Sequence, residues 1–134
     1  MIDRTPFDRI YRMKKFEGKN YTQIGLEVGM SKGAVHNIFK REECMRRVFD
    51  PEVIAIVYRC SNNTHAADTF LNAVLRYFRA GRNVETITYE HGKYHRISLR
   101  EVMEMDRKKF SKVNGVGVLM LDIFDRLEED QIWK

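Results

Sequence analysis

The sequence predicts a mainly α-helical protein built from two small helical units, and three observations lead there. Apolar residues recur at three- and four-residue spacing along most of the chain. Ser, Thr and Asp stand where helix caps belong, and glycines stand where the helical patterns stop. The charge is unevenly divided. The 134 residues carry a net +5, with eleven Lys and Arg against six Asp and Glu over residues 1–48 and thirteen against thirteen over 49–134. A composition of 43% hydrophobic and 32% charged residues fits a folded core rather than a disordered chain.

The elements follow in order. Pro6 precedes Phe7, Ile10, Tyr11 and Met13 or Lys14 at helical spacing, so a first helix is expected to end near Gly18. Gly18, Lys19 and Asn20 form a turn. Thr22 is read as the cap of a short second helix through Glu27. Gly29 breaks it, and Ser31 caps a third helix over 32 to about 43. Asp50-Pro51 starts a fourth; the period of EVIAIVYRC fits helix or strand, and the Asp-Pro pair favours helix. After the polar turn 61–64, a long amphipathic helix runs from about 65 to 80. It carries Phe70, Val74, Tyr77 and Phe78 on one side, with Leu71 and Leu75 close by. Gly81 stops it.

Residues 84–99 fit two readings. Alternation around a Gly-containing turn is the signature of a β-hairpin near 86–97, while a short helix, a loop and another helix also fit. Beyond it Ser98 caps LREVMEM, Asp106 caps RKKFSKV, and a last helix covers about 118 to 128. The expected division is 1–48, a connecting helix over 49–65, and a module over 66–134.

Residues 21–40 read YTQIGLEVGMSKGAVHNIFK. Ile24, Val28, Val35 and Ile38 are apolar where two short helices would share a core. Gly25 is small where the second helix is expected to cross. Gly29 tolerates a left-handed turn, Met30 is expected to fill the elbow, and Ser31 caps the next helix. The segment resembles the helix-turn-helix of bacterial and phage regulators and of resolvase-type and sigma-factor-like domains, over about 45 residues. The resemblance implies double-stranded DNA as partner, with the second helix of the motif in the major groove. Its start and outward face hold Ser31, Lys32, Gly33, His36, Asn37 and Lys40. Asn37 suits a bidentate pair with adenine, and Lys32 reaches guanine. Thr22, Gln23, Lys19 and Arg41 are expected on phosphates, with Arg46 and Arg47 extending that track. The positive first third agrees with counterion release on binding.

A second resemblance covers residues 66–128. The helix ending Arg79-Ala80-Gly81, the element Met105-Asp-Arg-Lys-Lys-Phe110, and Val113-Asn-Gly-Val-Gly117 opening a final helix with Leu121, Phe124 and Leu127 inward carry it. Together they resemble the C-terminal domain of the bacterial RNA polymerase alpha subunit, with a helix-hairpin-helix-like step at Gly115-Val116-Gly117. The family's minor-groove Arg and Asn correspond here to Asn72 and Leu75. The basic and hydroxyl residues after its glycine correspond to Val118, Leu119 and Met120. So the fold carries over and the DNA contacts do not. This half is expected to dimerise the protein or to meet RNA polymerase. Leu119, Met120, Ile132 and Trp133 are the candidate contacts, all but Trp133 being read first as core.

No apolar run approaches the roughly 20 residues that span a bilayer. MIDRTPFDRI lacks a signal-peptide apolar region, so the cytoplasm is expected. Cys44 and Cys60 lack metal-ligand spacing and are read as buried thiols. His91 and His95 lack further ligands. No phosphate loop, nucleophile elbow or paired-carboxylate signature is present, so no enzyme, cofactor or metal is expected. The function expected is a sequence-specific DNA-binding transcriptional regulator acting as a homodimer. The alternative is a protein-interaction adaptor that binds RNA polymerase or another DNA-bound factor and keeps its helix-turn-helix as a structural element.

Overall fold

The computed structural model describes residues 2–79, 89–90, 93–94 and 96–132. The protein is mostly helical, as its periodicity predicts. The helices among the described residues are α1 (Thr5–Lys15), α2 (Tyr21–Val28), α3 (Lys32–Val48), α4 (Pro51–Cys60), α5 (Thr64–Arg79), α6 (Leu99–Met103), α7 (Arg107–Ser111) and α8 (Val118–Ile132). Two strands of two residues, β1 (Tyr89–Glu90) and β2 (Lys93–Tyr94), pair antiparallel with Tyr89 opposite Tyr94 and Glu90 opposite Lys93. They lie in the span that alternation left open; most of its other residues, His91 and His95 among them, lie outside the described residues. The chain divides into two compact units, one of Asp3–Arg46 and one built on Arg47–Lys134.

In the first unit, Ile10 and Met13 of α1, Ile24 of α2, and Val35 and Phe39 of α3 form the core. Tyr11, Tyr21, Val28 and Ile38 pack against it. Burying each large apolar side chain contributes about 1.5–3 kcal/mol. The helix ends differ from expectation at α2. Its cap is Asn20, not Thr22: the Gln23 N–H donates to Asn20 Oδ1 at 2.8 Å, and the Asn20 N–H donates to Gln23 Oε1 at 2.9 Å. This reciprocal box satisfies two orphan donors, where a threonine cap satisfies one. Ser31 caps α3 as expected, accepting the Ala34 N–H at 3.1 Å.

The elbow between α2 and α3 is a backbone matter. Gly29 adopts φ +73°, a left-handed conformation that favours glycine. A Cβ on the buried Gly25 would stand 2.6 Å from the Met30 carbonyl oxygen. The turn itself, rather than a crossing helix, therefore forbids a side chain there. Met30 is exposed and does not fill the elbow.

α3 runs to Val48, five residues past its expected end. The extension is stabilised by a polar seam. Glu42 is fully buried and its Oε1 accepts from both Arg4 and Arg46. Arg46 also donates to Asp8 Oδ1 at 3.1 Å and lies 4.0 Å over the Tyr11 ring. Arg4 and Arg41 lie over the Phe7 ring at 5.8 and 4.9 Å. A glutamate in this position reads as a solvent residue in sequence, and only its arginine partners account for its burial.

The second unit buries Val53, Ile54, Ile56, Val57 and Tyr58 of α4 and Ala67, Phe70, Leu71, Ala73 and Val74 of α5, and α4 packs on both α5 and α8. Phe110 of α7 meets Phe70 edge-on at 5.5 Å and stacks on Phe124 of α8 at 5.6 Å. The start of α4 is held by backbone rather than by the Asp50 side chain. The Ile97 N–H donates to Val48 O at 2.8 Å, and the Asp50 N–H donates to Ile97 O at 3.0 Å. Ser98 with Glu101 forms a second capping box, at α6. At α7 the Lys109 N–H bonds the Asp106 carboxylate and holds its pKa below the ordinary value. Cys44 is exposed and Cys60 half-buried, so the expectation of two buried thiols fails at Cys44. Burial, then the nearby Asp130, pushes the Cys60 thiol pKa up.

Candidate nucleic-acid interface

Val35 and Phe39 lie one turn apart on α3 and face the core. That phase leaves Gly33, Asn37 and Lys40 on the opposite side, with His36 on the flank and Lys32 on the core-facing side at the helix start, and all five are exposed. Ser31 precedes them, also exposed, with its hydroxyl already accepting the Ala34 N–H. A Cβ on Gly33 would meet nothing within 4 Å, so the backbone there is open to close approach. The six residues expected at base edges therefore form an exposed strip that wraps around the start of α3, with only Gly33, Asn37 and Lys40 on the face opposite the core.

The strip is electropositive and rich in donors. Lys32 has no carboxylate partner among the described residues. Lys40 has only Glu43 at 3.9 Å, a distance at which an exposed pair contributes little. No acidic residue occupies positions 28 to 41, so the first two turns of α3 present Lys32, an imidazole and a carboxamide without an acid of their own, and Lys40 follows with Glu43 as its distant partner. His36 sets its ring edge-on to Tyr21 at 5.0 Å and 87°, which braces an otherwise free side chain.

The residues expected on phosphates are dispersed. Thr22 and Gln23 are exposed on the first turn of α2. The Gln23 oxygen is committed to the capping box, which leaves its amide nitrogen as the outward donor. Lys19 instead pairs with Glu27 at 2.8 Å and Glu17 at 3.4 Å. The bond to Glu27 raises the Lys19 pKa, and the same bond lowers that of Glu27. Arg41 is half-buried over Phe7, and Arg46 belongs to the Glu42 seam. Arg47 is exposed and belongs to the second unit.

Two neighbours of the strip escaped the sequence reading. Tyr21, the first residue of α2, is anchored on the core beside Phe39 at 6.2 Å. The Lys14 ammonium stands 4.6 Å over the centroid of its ring. The only hint in sequence was the uncertain phase of Met13 and Lys14 on α1; the structure buries Met13 and half-exposes Lys14.

In the second unit, Asn72 is exposed and Leu75 half-buried on α5. Gly115 adopts φ +88°, and the Arg76 guanidinium lies 3.1 Å from where its Cβ would stand. Val118 and Leu119 are exposed at the start of α8, whereas Met120 is core. The core reading of Leu119 thus fails, because only every third or fourth residue of α8 faces inward. Trp133 lies outside the described residues. Among the described residues no His, Cys, Asp and Glu cluster could hold a metal, and no helix is long and apolar enough to cross a membrane. No family model, curated protein or solved structure matches this chain.

Proposed function

We propose that this protein is a sequence-specific DNA-binding transcriptional regulator of bacterial or phage type, which lays the first two turns of α3 in the major groove. The observation that supports this is the acid-free strip Ser31, Lys32, Gly33, His36, Asn37 and Lys40, exposed at the start of a helix that follows a glycine elbow. A major groove about 12 Å wide admits one helix, and its base edges offer the acceptors and donors that such side chains match. Asn37 pairs with adenine and Lys32 with guanine, while Thr22 and Gln23 donate to phosphate. In this reading the unit 47–134 joins two copies over half-sites about one helical turn apart, or meets RNA polymerase in the cytoplasm. Exposed Val118 and Leu119 supply apolar surface for either contact.

The test is selection of bound sequences from random DNA, followed by a salt titration on the enriched site. A defined motif and an affinity that falls steeply with salt are expected. A flat salt response would remove DNA binding altogether. The adaptor alternative draws on Leu26 and Phe16, which are 83% and 75% exposed on the first unit. It predicts no enriched motif and a protein partner whose capture survives nuclease treatment.

A further inference from the structure

Three lysines lie close together at and after the end of α1, and the structure gives each a different neighbour. Lys15 pairs with Glu43 at 3.5 Å. Lys19 pairs with Glu27 and Glu17. Lys14 faces only the ring of Tyr21, 4.6 Å from its centroid, with no carboxylate partner among the described residues. Its charge is therefore held in place and left unneutralised. Besides leaning on Phe39 in the core, that ring meets His36, the imidazole on the exposed α3 strip. Two successive contacts of about 5 Å thus connect a fixed ammonium on α1 to the strip on α3.

We infer that Lys14 is a further DNA-contacting residue, gripping a backbone phosphate beside the groove that α3 enters, with Tyr21 as the residue that positions it. The inference rests on the DNA-binding reading above. An aromatic face is a suitable holder for this purpose. It fixes the ammonium through the ring quadrupole without supplying the negative charge that would compete with phosphate. A carboxylate partner would have to be displaced before Lys15 or Lys19 could do the same. Lys14 thereby takes the place that the sequence alone assigned to Lys19.

The experiment is a salt titration of the intact protein and its variants on a selected DNA site and on random DNA. Lys14→Gln is expected to weaken both DNAs by the same factor and to lower the slope of log K against log salt by about 1. Lys14→Arg is expected to restore the slope, and Lys15→Gln to leave it near the wild-type value. Tyr21→Phe keeps the ring and is expected to keep the slope. Tyr21→Leu is expected to lose part of it, provided that its helical circular dichroism stays unchanged. An unaltered slope in Lys14→Gln, beside a steep wild-type slope, overturns the role of Lys14 and leaves the DNA-binding reading standing. A flat wild-type response overturns both. A slope that falls equally in Lys14→Gln and Lys15→Gln overturns the claim that the ring sets Lys14 apart.

Discussion

The two halves of α3 are one helix with opposite uses of charge. Over residues 32–40 it exposes Lys32, His36, Asn37 and Lys40 and contains no acid. The last two turns bury Glu42 under Arg4 and Arg46 and cover Phe7 and Tyr11 with guanidinium groups. A guanidinium shared between a buried carboxylate and a ring is a structural group. An ammonium with nothing acidic nearby is available to a phosphate or a base. The difference teaches that the positive charge of residues 1–48 is not one patch. Much of it holds α1 against α3, and a smaller share remains for a partner.

The strongest way to break the comparison is at the buried carboxylate. Glu42→Ala removes the acceptor shared by two arginines and should cost about 3 kcal/mol. That lies at the low end for a buried pair, because Arg4 and Arg46 keep 18% and 26% of their exposure. Amide hydrogen exchange in α1 and α3 would register the loss. A change below about 0.5 kcal/mol would mean that the seam is ornamental. Gly25→Ala follows, since its Cβ must displace the Met30 carbonyl; a loss of about 2 kcal/mol is expected from overpacking. The same exchange measurement reads it.

The outward half should respond in the opposite manner. Lys32→Ala should leave stability within about 0.5 kcal/mol, as exposed substitutions do. It should nevertheless weaken binding to a preferred DNA site by about 1–3 kcal/mol, measured by titration against labelled duplex. Stability and binding would then separate along one helix.

The smallest expected effect sharpens the assignment of Lys19. Its bond lowers the Glu27 pKa, so this contribution to stability is present above the ordinary carboxylate pKa of about 4 and disappears as pH falls through the lowered folded value. The same bond raises the Lys19 pKa, so the contribution is present below the ordinary lysine value of about 10 and disappears as pH rises through the raised folded value. Glu27→Gln should therefore be less stable than the wild type at neutral pH and indistinguishable from it in acid. Thermal melts at pH 7 and pH 2 would check this, and a gap that persists in acid would speak against the pair.

Much of the fold was legible because its signals are local. Capping residues at Ser31, Ser98 and Asp106 and the turn at Gly29 depend on neighbours within four positions. Gly33, Asn37 and Lys40 were legible as exposed because they lie opposite Val35 and Phe39 on one helix. The cap of α2 escaped although its signal is local: Asn20 with Gln23 three residues on spells a capping box that the turn reading of Asn20 passed over. The rest of what escaped depends on distant contacts. The burial of Glu42 was hidden because it looks solvated until Arg4, far off in sequence, is brought to it. Arg41 and Arg46 read as phosphate ligands for the same reason: their aromatic partners Phe7 and Tyr11 lie on another helix.

The central claim is that the outward face of early α3 reads DNA sequence, and Asn37 tests it most directly. The measurement is the ratio of affinities for a selected site and for random DNA, in the wild type and in Asn37→Ala, at one fixed salt concentration. The account predicts that the ratio falls roughly tenfold or more while binding to random DNA stays unchanged. An unchanged ratio, or an equal loss on both DNAs, would contradict it.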